Sequence, residues 1–377
     1  MKDKKMAKVR TIIYGGSFDP LHAGHIEIAL TAFNACNADK VVFMPAKNPP
    51  WKQVIAPPFD RLNMLKFGLG AYLEFEISEL ELFSDDEINY TYLTLEKYQN
   101  LHKDEEVALL IGSDQANKFS EWYKAEQLAK NWQIIVYERP DYKINDQIAS
   151  KYNMEVVEGS KIDASSTKIR QLHDAKTPLS VLHYIARQNL YYMPKLHEYL
   201  SPQRLAHSLR VARLAYEIAA ANKQDYGRAY VAALLHDIGK EIPEKEALQL
   251  IKKYFDDEEL INSCKGNEYM IHQLLGAVIA KEDFGIEDEE VIDAIAFHSS
   301  GKAKMTTIGK IVYSADKIEP GRKFDSRDLI AACLEDHEQG FLAVLEANVE
   351  FLANKGAKTD NRYYEECAEY YLGKGAL

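Results

Sequence analysis

The stretch from Val9 to Phe33 constrains the fold more tightly than any other in this chain. Val9 to Tyr14 is a β-branched and apolar run with the length and composition of a buried strand. Gly15 and Gly16 are expected to break that strand, and neither puts a Cβ between the backbone and a ligand. Asp19-Pro20 turns the chain. From about Leu21 the spacing becomes helical, with Ile26, Ala29, Leu30 and Phe33 on one face. A glycine turn between a parallel-type strand and a helix leaves backbone N–H groups at the positive end of the helix dipole, an end that attracts phosphate. His22 and His25 stand three residues apart at the helix start, so both project toward the place a phosphate would occupy. The GxxxxGK[ST] and GxGxxG patterns are both absent, which excludes a Walker loop and the usual dinucleotide fingerprint.

The 377 residues are enough for two domains that each bury a core. A net charge of −12 argues against a general nucleic-acid binder, yet leaves room for small nucleotides in a local basic pocket. Cys36, Cys264, Cys333 and Cys367 are far apart and form no CxxC, so neither a disulfide framework nor a zinc knuckle is expected. Met1–Arg10 lacks the apolar core of a signal peptide, and no run reaches the ~20 apolar residues of a membrane helix. The expected setting is the cytoplasm, with no membrane and no nucleic acid as partner; self-association is left open.

Strands and helices alternate through the first half. Lys40–Pro45, Phe75–Leu82, Val107–Ile111, Gln133–Tyr137 and a short segment near Val156 read as strands; Phe59–Ala71, Tyr92–Leu101 and Glu121–Lys130 read as helices. This implies an α/β domain, a parallel sheet covered on both faces, with ligands at the carboxyl ends of the strands, where Gly15–His25 and Gly112–Asp114 fall. Farther on, Ser165–Arg170 (SSTKIR) opens a helix expected to reach His173. Its hydroxyls can cap, but Lys168 and Arg170 in the first turn oppose the dipole, which a bound phosphate would resolve.

GGSFDPLHAGH resembles the signature of nucleotidyltransferases that move AMP or CMP from a triphosphate onto a phosphate. With Pro49–Lys52 (PPWK), Tyr90-Thr91, Gly112–Asp114 (GSD), Trp122-Tyr123, SSTKIR and Val181–Tyr192, the stretch from Val9 to about Tyr192 resembles the bacterial nicotinate-mononucleotide adenylyltransferases, which have a Rossmann-like fold. The resemblance implies that Gly15, Gly16, Ser17, Phe18, His22, His25 and Gly112 line the ATP site, with Asp114 near the adenosine. It has Ser166, Thr167 and Arg170 hold the phosphates from the other side, and His22, His25 and Arg170 act in catalysis. Trp122 would stack on the nicotinate ring, Thr91 and the Tyr123 backbone would receive its carboxylate, and Lys52 would serve the mononucleotide. The family commonly carries His where this chain has Trp51, so no phosphate contact is carried to that position. Attack of the mononucleotide phosphate on the ATP α-phosphorus needs positioning and charge stabilisation, with Mg2+ expected to arrive with ATP.

Met193-Pro194 ends the alternation, and residues 194–377 read as all-α, giving expected domains of 1–193 and 194–377. Ser201-Pro202 starts a helix on which His207, Val211, Leu214 and Ile218 share a face. Ala232–Asp237 (AALLHD) closes on Gly239-Lys240, His272 heads another helix, His298 follows AIAF, and Asp316 lies in IVYSADKIEP. Imidazoles and carboxylates adjoining apolar runs are costly to bury unless they converge on metal ions. The set His207, His236-Asp237, His272, His298, Asp316 resembles the HD-domain metallophosphohydrolases. HDIGK, AIAFHSSG and KIVYSADKIEPGR resemble the bacterial HD family that cleaves diadenosine tetraphosphate symmetrically into two ADP. That resemblance implies two metal ions, with iron expected: His207, His236, Asp237 and Asp316 around one, His272 and His298 on the other, Asp237 near both, and a metal-activated water as nucleophile. Lys240 and Arg322 would bind phosphate, and Asp237 and Lys240 would act in catalysis. The alternatives for the second half are hydrolysis of another nucleotide, or a nucleotide-sensing module that controls the transferase. For the first half they are nucleotidyltransferases making coenzyme A or CDP-linked precursors, against which Trp122, Thr91 and SSTKIR count.

Overall fold

The computed structural model describes residues 8–47, 54–84, 89–160, 163–255, 258–355 and 362–373. They fall into two compact units: the first runs to Ser166 and takes back Thr177–Gln188, and the second holds Thr167–Lys176 and the chain from Asn189.

The first unit is α/β. Its elements are β1 (Val9–Gly16), α1 (Ala23–Ala35), β2 (Lys40–Pro45), α2 (Pro58–Leu69), β3 (Phe75–Ile77), α3 (Thr91–Leu101), β4 (Glu105–Gly112), α4 (Ser113–Ala116), α5 (Ala125–Asn131), β5 (Gln133–Glu138), α6 (Asp146–Lys151), β6 (Glu155–Glu158) and, after α7 (Ser166–Arg170), of which only Ser166 is in this unit, α8 (Leu179–Arg187). The six strands are parallel in the order β3-β2-β1-β4-β5-β6. Strand order reverses at β1, which places a crevice at the carboxyl ends of β1 and β4, the usual ligand position in such sheets. Ile13, Val42, Leu109, Ile134 and Val136 build the core below it.

Four local expectations are corrected. β1 does not stop at Tyr14: Gly15 and Gly16 stay in the ladder opposite Met44 and Pro45. The third strand ends at Ile77, not Leu82, because after Ser78 N donates to Phe43 O the chain turns. The helix expected at 121–130 starts at Ala125, since Lys124 is held at φ +55°. The helix of SSTKIR likewise ends at Arg170, where Leu172 at φ +62° cannot continue it to His173.

The second unit is helical: α9 (Met193–Tyr199), α10 (Pro202–Ala221), α11 (Tyr226–Leu235), α12 (Glu244–Tyr254), α13 (Glu258–Cys264), α14 (Glu268–Glu282), α15 (Glu289–Ala296), α16 (Thr307–Ile318), α17 (Arg327–Glu335), α18 (His337–Asn354) and α19 (Arg362–Leu372). Ser201, Asp225, Asn267, Asp288 and Thr306 each accept a backbone N–H as N-caps, so the helix starts follow the sequence. Helix α10 packs on α11 and α16, and α14 on α12 and α15. Among the described residues, no helix is long and apolar enough to cross a membrane.

Candidate functional site

Each unit has its own cluster of candidate residues. In the first, His22 is the N-cap of α1 and its backbone N–H donates to His25 Nδ1 at 3.2 Å. The two rings stack with centroids 3.7 Å apart. Their spacing at the helix start, and the capping box it forms, fix both rings at the positive end of α1. A Cβ on Gly15 would meet nothing within 4 Å, so this backbone faces open space, whereas Gly16 is filled by the Phe18 ring at 2.9 Å. Phe18 packs edge-on to His25 at 5.0 Å and Tyr14 at 5.6 Å, a support for the imidazole from below.

The loop after β1 is tied down by two groups that sequence reasoning missed. Asp19, which is buried, accepts the backbone N–H of Ile55 at 2.8 Å and of Ala56 at 3.1 Å. Arg61 on α2 is completely buried, and its guanidinium donates to Ser17 O at 2.8 Å, Ala46 O at 2.7 Å and Lys47 O at 3.2 Å. One planar side chain thus ties the loop carrying Ser17 to the loop after β2. Ser166 Oγ donates to Pro20 O at 3.0 Å, beside the same turn. Gly112 ends β4, where a Cβ would meet Asp114 Oδ1 at 2.6 Å, so Asp114 leans back over the strand end.

Thr91 opens α3, and Tyr90 before it packs on Tyr123 with centroids 4.6 Å apart. Lys124 Nζ lies over the Tyr92 and Tyr123 rings at 4.3 and 5.3 Å. Trp122 is partly buried against the core and packs at 5.4 Å on Phe119. Thr91, Trp122 and Tyr123 therefore share one neighbourhood. Thr167 and Arg170 belong to the second unit, where Arg170 Nη2 donates to Thr167 Oγ1 at 3.1 Å. Trp51 and Lys52 lie outside the described residues.

In the second unit the six predicted ligands converge. His207 comes from α10, His236 and Asp237 from the end of α11, His272 from α14, His298 from just past α15, and Asp316 from α16. The two oxygens of Asp237 divide them. Oδ2 lies 4.0 Å from His207 Nε2 and 3.7 Å from His236 Nε2, while Oδ1 lies 3.5 Å from His272 Nε2 and 3.7 Å from His298 Nε2. Asp316 Oδ1 is 3.3 Å from His207 Nε2 and 3.6 Å from His236 Nε2. His207, His236 and Asp237 form one group able to hold a metal ion, and Asp237, His272 and His298 another.

The proton positions follow from the acceptors. His236, His272 and His298 Nδ1 approach the carbonyl oxygens of Ala233, Glu268 and Ile295 at 2.7, 2.7 and 2.8 Å. A carbonyl only accepts, so Nδ1 carries the proton and Nε2 presents its lone pair inward. His236 Nε2 is buried with no hydrogen-bond partner, and the His272 and His298 Nε2 atoms face each other at 3.1 Å. Lone pairs so arranged are satisfied by a shared electrophile, and the donor set of imidazoles and carboxylates suits a transition-metal ion. Burial lowers the His236 pKa to about 4 and the His272 pKa well below its ordinary value, which keeps both neutral. Burial also raises the Asp316 carboxyl, but Lys317 and His207 outweigh it and hold it well below the usual range.

Cations ring this centre. Arg204 Nη1 lies 2.7 Å from Asp237 Oδ2, Arg322 Nη2 2.6 Å from Asp316 Oδ1, and Lys317 Nζ 3.0 Å from Asp316 Oδ2. Lys240 Nζ is 3.2 Å from His272 Nδ1, and burial pushes its pKa down. Arg204 and Glu319 were missed in the sequence. Arg204 lies three residues before His207, an i, i+3 spacing that puts both on one face of α10 and could have found it.

A cytidylyltransferase-like family model matches residues 13–172, and an HD-domain model matches residues 204–321. The chain is 32% identical over 318 residues to a Mycoplasma genitalium protein named a probable nicotinate-nucleotide adenylyltransferase/Ap4A hydrolase, covering 84% of this chain and 89% of that protein. A Carboxydothermus hydrogenoformans protein named a probable nicotinate-nucleotide adenylyltransferase is 34% identical, over 49% of this chain and 100% of its own length. A solved structure described as a predicted HD superfamily hydrolase involved in NAD metabolism, from Clostridium acetobutylicum, is 32% identical over 48% of this chain and 96% of its own, with a TM-score of 0.43.

Proposed function

The chain belongs to the family of nicotinate-nucleotide adenylyltransferase/Ap4A hydrolases, enzymes that join a nucleotidyltransferase domain to an HD hydrolase domain. From that premise we propose that residues 1–193 transfer AMP from ATP to nicotinate mononucleotide, giving deamido-NAD and pyrophosphate. We further propose that residues 194–377 add water to diadenosine tetraphosphate and release two ADP.

For the transferase the carrying observation is the pair His22 and His25 at the N-terminus of α1, next to the open backbone of Gly15. A phosphate oxygen of the mononucleotide attacks the ATP α-phosphorus, and the bond to the pyrophosphate oxygen breaks. Negative charge grows on oxygens that the two imidazoles and the helix N-terminus are positioned to meet. Ser166, Thr167 and Arg170 are proposed for the phosphates on the strength of the SSTKIR motif. Asp114 is proposed for the adenosine, and Thr91, Trp122 and Tyr123 with Lys52 for the mononucleotide. Mg2+ enters as part of the ATP substrate.

For the hydrolase the carrying observation is Asp237, whose two oxygens face two different histidine pairs. His207, His236 and Asp316 with one oxygen, and His272 and His298 with the other, would hold two ions, with iron proposed. Bound ions would supply Lewis acidity and a water of lowered pKa. Lys240, Arg204 and Arg322 stand at the rim of this set and are proposed to bind the polyphosphate.

The test is product analysis on the purified full chain. ATP with nicotinate mononucleotide should yield deamido-NAD, with lower kcat/KM for the nicotinamide form, because donors arranged for a carboxylate are mispaired by an amide. Diadenosine tetraphosphate with Fe2+ or Mn2+ should yield ADP. Equal kcat/KM for the two mononucleotides defeats the first assignment, and ATP plus AMP instead of ADP defeats the second.

A further inference from the structure

Of the four imidazoles that converge in the candidate metal centre, three donate Nδ1–H to a main-chain carbonyl and the fourth does not. His207 Nδ1 lies 3.1 Å from Glu319 Oε1, a carboxylate only 2% exposed. Glu319 sits at the end of α16, three residues past Asp316. Its carboxylate also accepts Arg210 Nε at 2.7 Å, Arg210 Nη2 at 3.2 Å and Gly321 N at 2.6 Å. A Cβ on Gly321 would lie 2.5 Å from Arg210 Nε, so the glycine leaves room for that guanidinium. Two Arg210 N–H groups, the Gly321 N–H and the His207 ring thus converge on this one carboxylate, the donor set that an ionised acceptor takes.

An ionised acceptor behind an imidazole does two things that a carbonyl does less well. It fixes the ring so that Nε2 points inward, and it raises the electron density at that Nε2. The effect is confined to one side of the centre, because the other three rings have their own main-chain acceptors. We propose that Glu319 is a positioning residue for His207 that sets the metal affinity of the half-site of His207, His236 and Asp316 independently of the half-site of His272 and His298.

This rests on the two-ion reading of the centre. The competing possibility is that Glu319 merely ties α10 to α16 through Arg210. A tie of that kind would weaken both half-sites together and lower the thermal midpoint of the protein before any metal is added.

The experiment is a titration of the full chain with Mn2+, after removal of metal by a chelator, followed by calorimetry and by the Mn2+ electron spin resonance signal. The unsubstituted protein should bind in two steps. Glu319→Gln, which keeps shape and loses charge, should weaken one step about 10–100-fold and leave the other in place. The metal-free thermal midpoint should stay near that of the parent. Equal weakening of both steps, or no change in either, overturns the proposal. A double-mutant cycle with His207→Gln guards against a misfolded variant. Glu319→Gln should add nothing once His207 is gone, and additive losses would again overturn it. If the unsubstituted chain takes a single ion, the two-ion reading fails by itself. Glu319 then stands if its substitution weakens that ion and falls if it does not.

Discussion

The two candidate sites are built from opposite materials. At the carboxyl end of β1 the structure offers glycine backbone, a helix N-terminus and two histidines, with the loop after β1 tied down by the buried side chains of Asp19 and Arg61. In the helical unit the site is made of side chains alone, with carboxylates, imidazoles, Arg204, Arg322 and Lys317 already in contact with one another. The first kind of site has its charge supplied by the substrate. The second contains both signs of charge and is organised to hold ions. Substitutions should therefore act differently in the two: through the frame in the first, through the ligands in the second.

The largest effect is expected at Asp237, which serves both halves of its centre. Asp237→Ala should abolish metal binding and reduce diadenosine tetraphosphate hydrolysis to background, while adenylyl transfer continues, because the two clusters share no residue. Metal content by elemental analysis and the two product assays decide it. Loss of both activities would break the comparison.

Next comes the frame of the first site. Arg61→Met would leave the carbonyls of Ser17, Ala46 and Lys47 without their buried donor. Unsatisfied buried acceptors cost roughly 1–3 kcal/mol each, so a destabilisation of about 3–5 kcal/mol is expected after relaxation. Transfer should fall with it, and hydrolysis should not. Urea unfolding followed by the tryptophans, all of which lie before Asn189, reports the stability.

His22→Ala and His25→Ala follow, each expected to cost about 10²–10³ in the kcat of transfer, or roughly 2.7–4 kcal/mol, with the melting temperature little changed. Near-parental kcat in both would remove these histidines from the mechanism.

What the sequence disclosed tracks the same contrast. The residues that converge in the second cluster were readable because a His or Asp stands out beside an apolar run, as His236 and Asp237 do after Ala232–Leu235. The strand–turn–helix at Gly15–His25 was readable from its glycines and periodicity, although β1 proved to continue through Gly16. The supporting residues were hidden. Arg61 in PFDRLNMLKF looks like a surface residue of an amphipathic helix, and only the tertiary fold brings two carbonyl-bearing loops to it. Glu319 in KIEPGR reads as a charged helix end, and its partners His207 and Arg210 are more than 100 residues away in sequence. Periodicity identifies which face is buried. It does not identify what a buried polar group will meet.

The smallest effect concerns Glu81, a buried carboxyl in the first unit whose raised pKa gives the contrast a pH dependence. It lies after β3, 9% exposed, and accepts Thr94 Oγ1 at 2.5 Å. Burial pushes its pKa up to about 7, although the Thr94 hydroxyl and Lys97 pull the other way. A carboxyl whose folded pKa lies above its unfolded value favours the protonated folded state. Its stabilising contribution is therefore complete below the unfolded value of ~4.5 and is lost as pH rises toward 7. The first unit should thus lose of the order of 1–3 kcal/mol between pH 5 and pH 8 from this group. Glu81→Gln mimics the protonated form and keeps an acceptor for Thr94. It should flatten that slope and raise stability at pH 8 while changing little at pH 5. Urea melts by tryptophan fluorescence at the two pH values measure this. A parent and a variant with the same pH slope would show that Glu81 ionises in the folded protein as freely as in the unfolded chain.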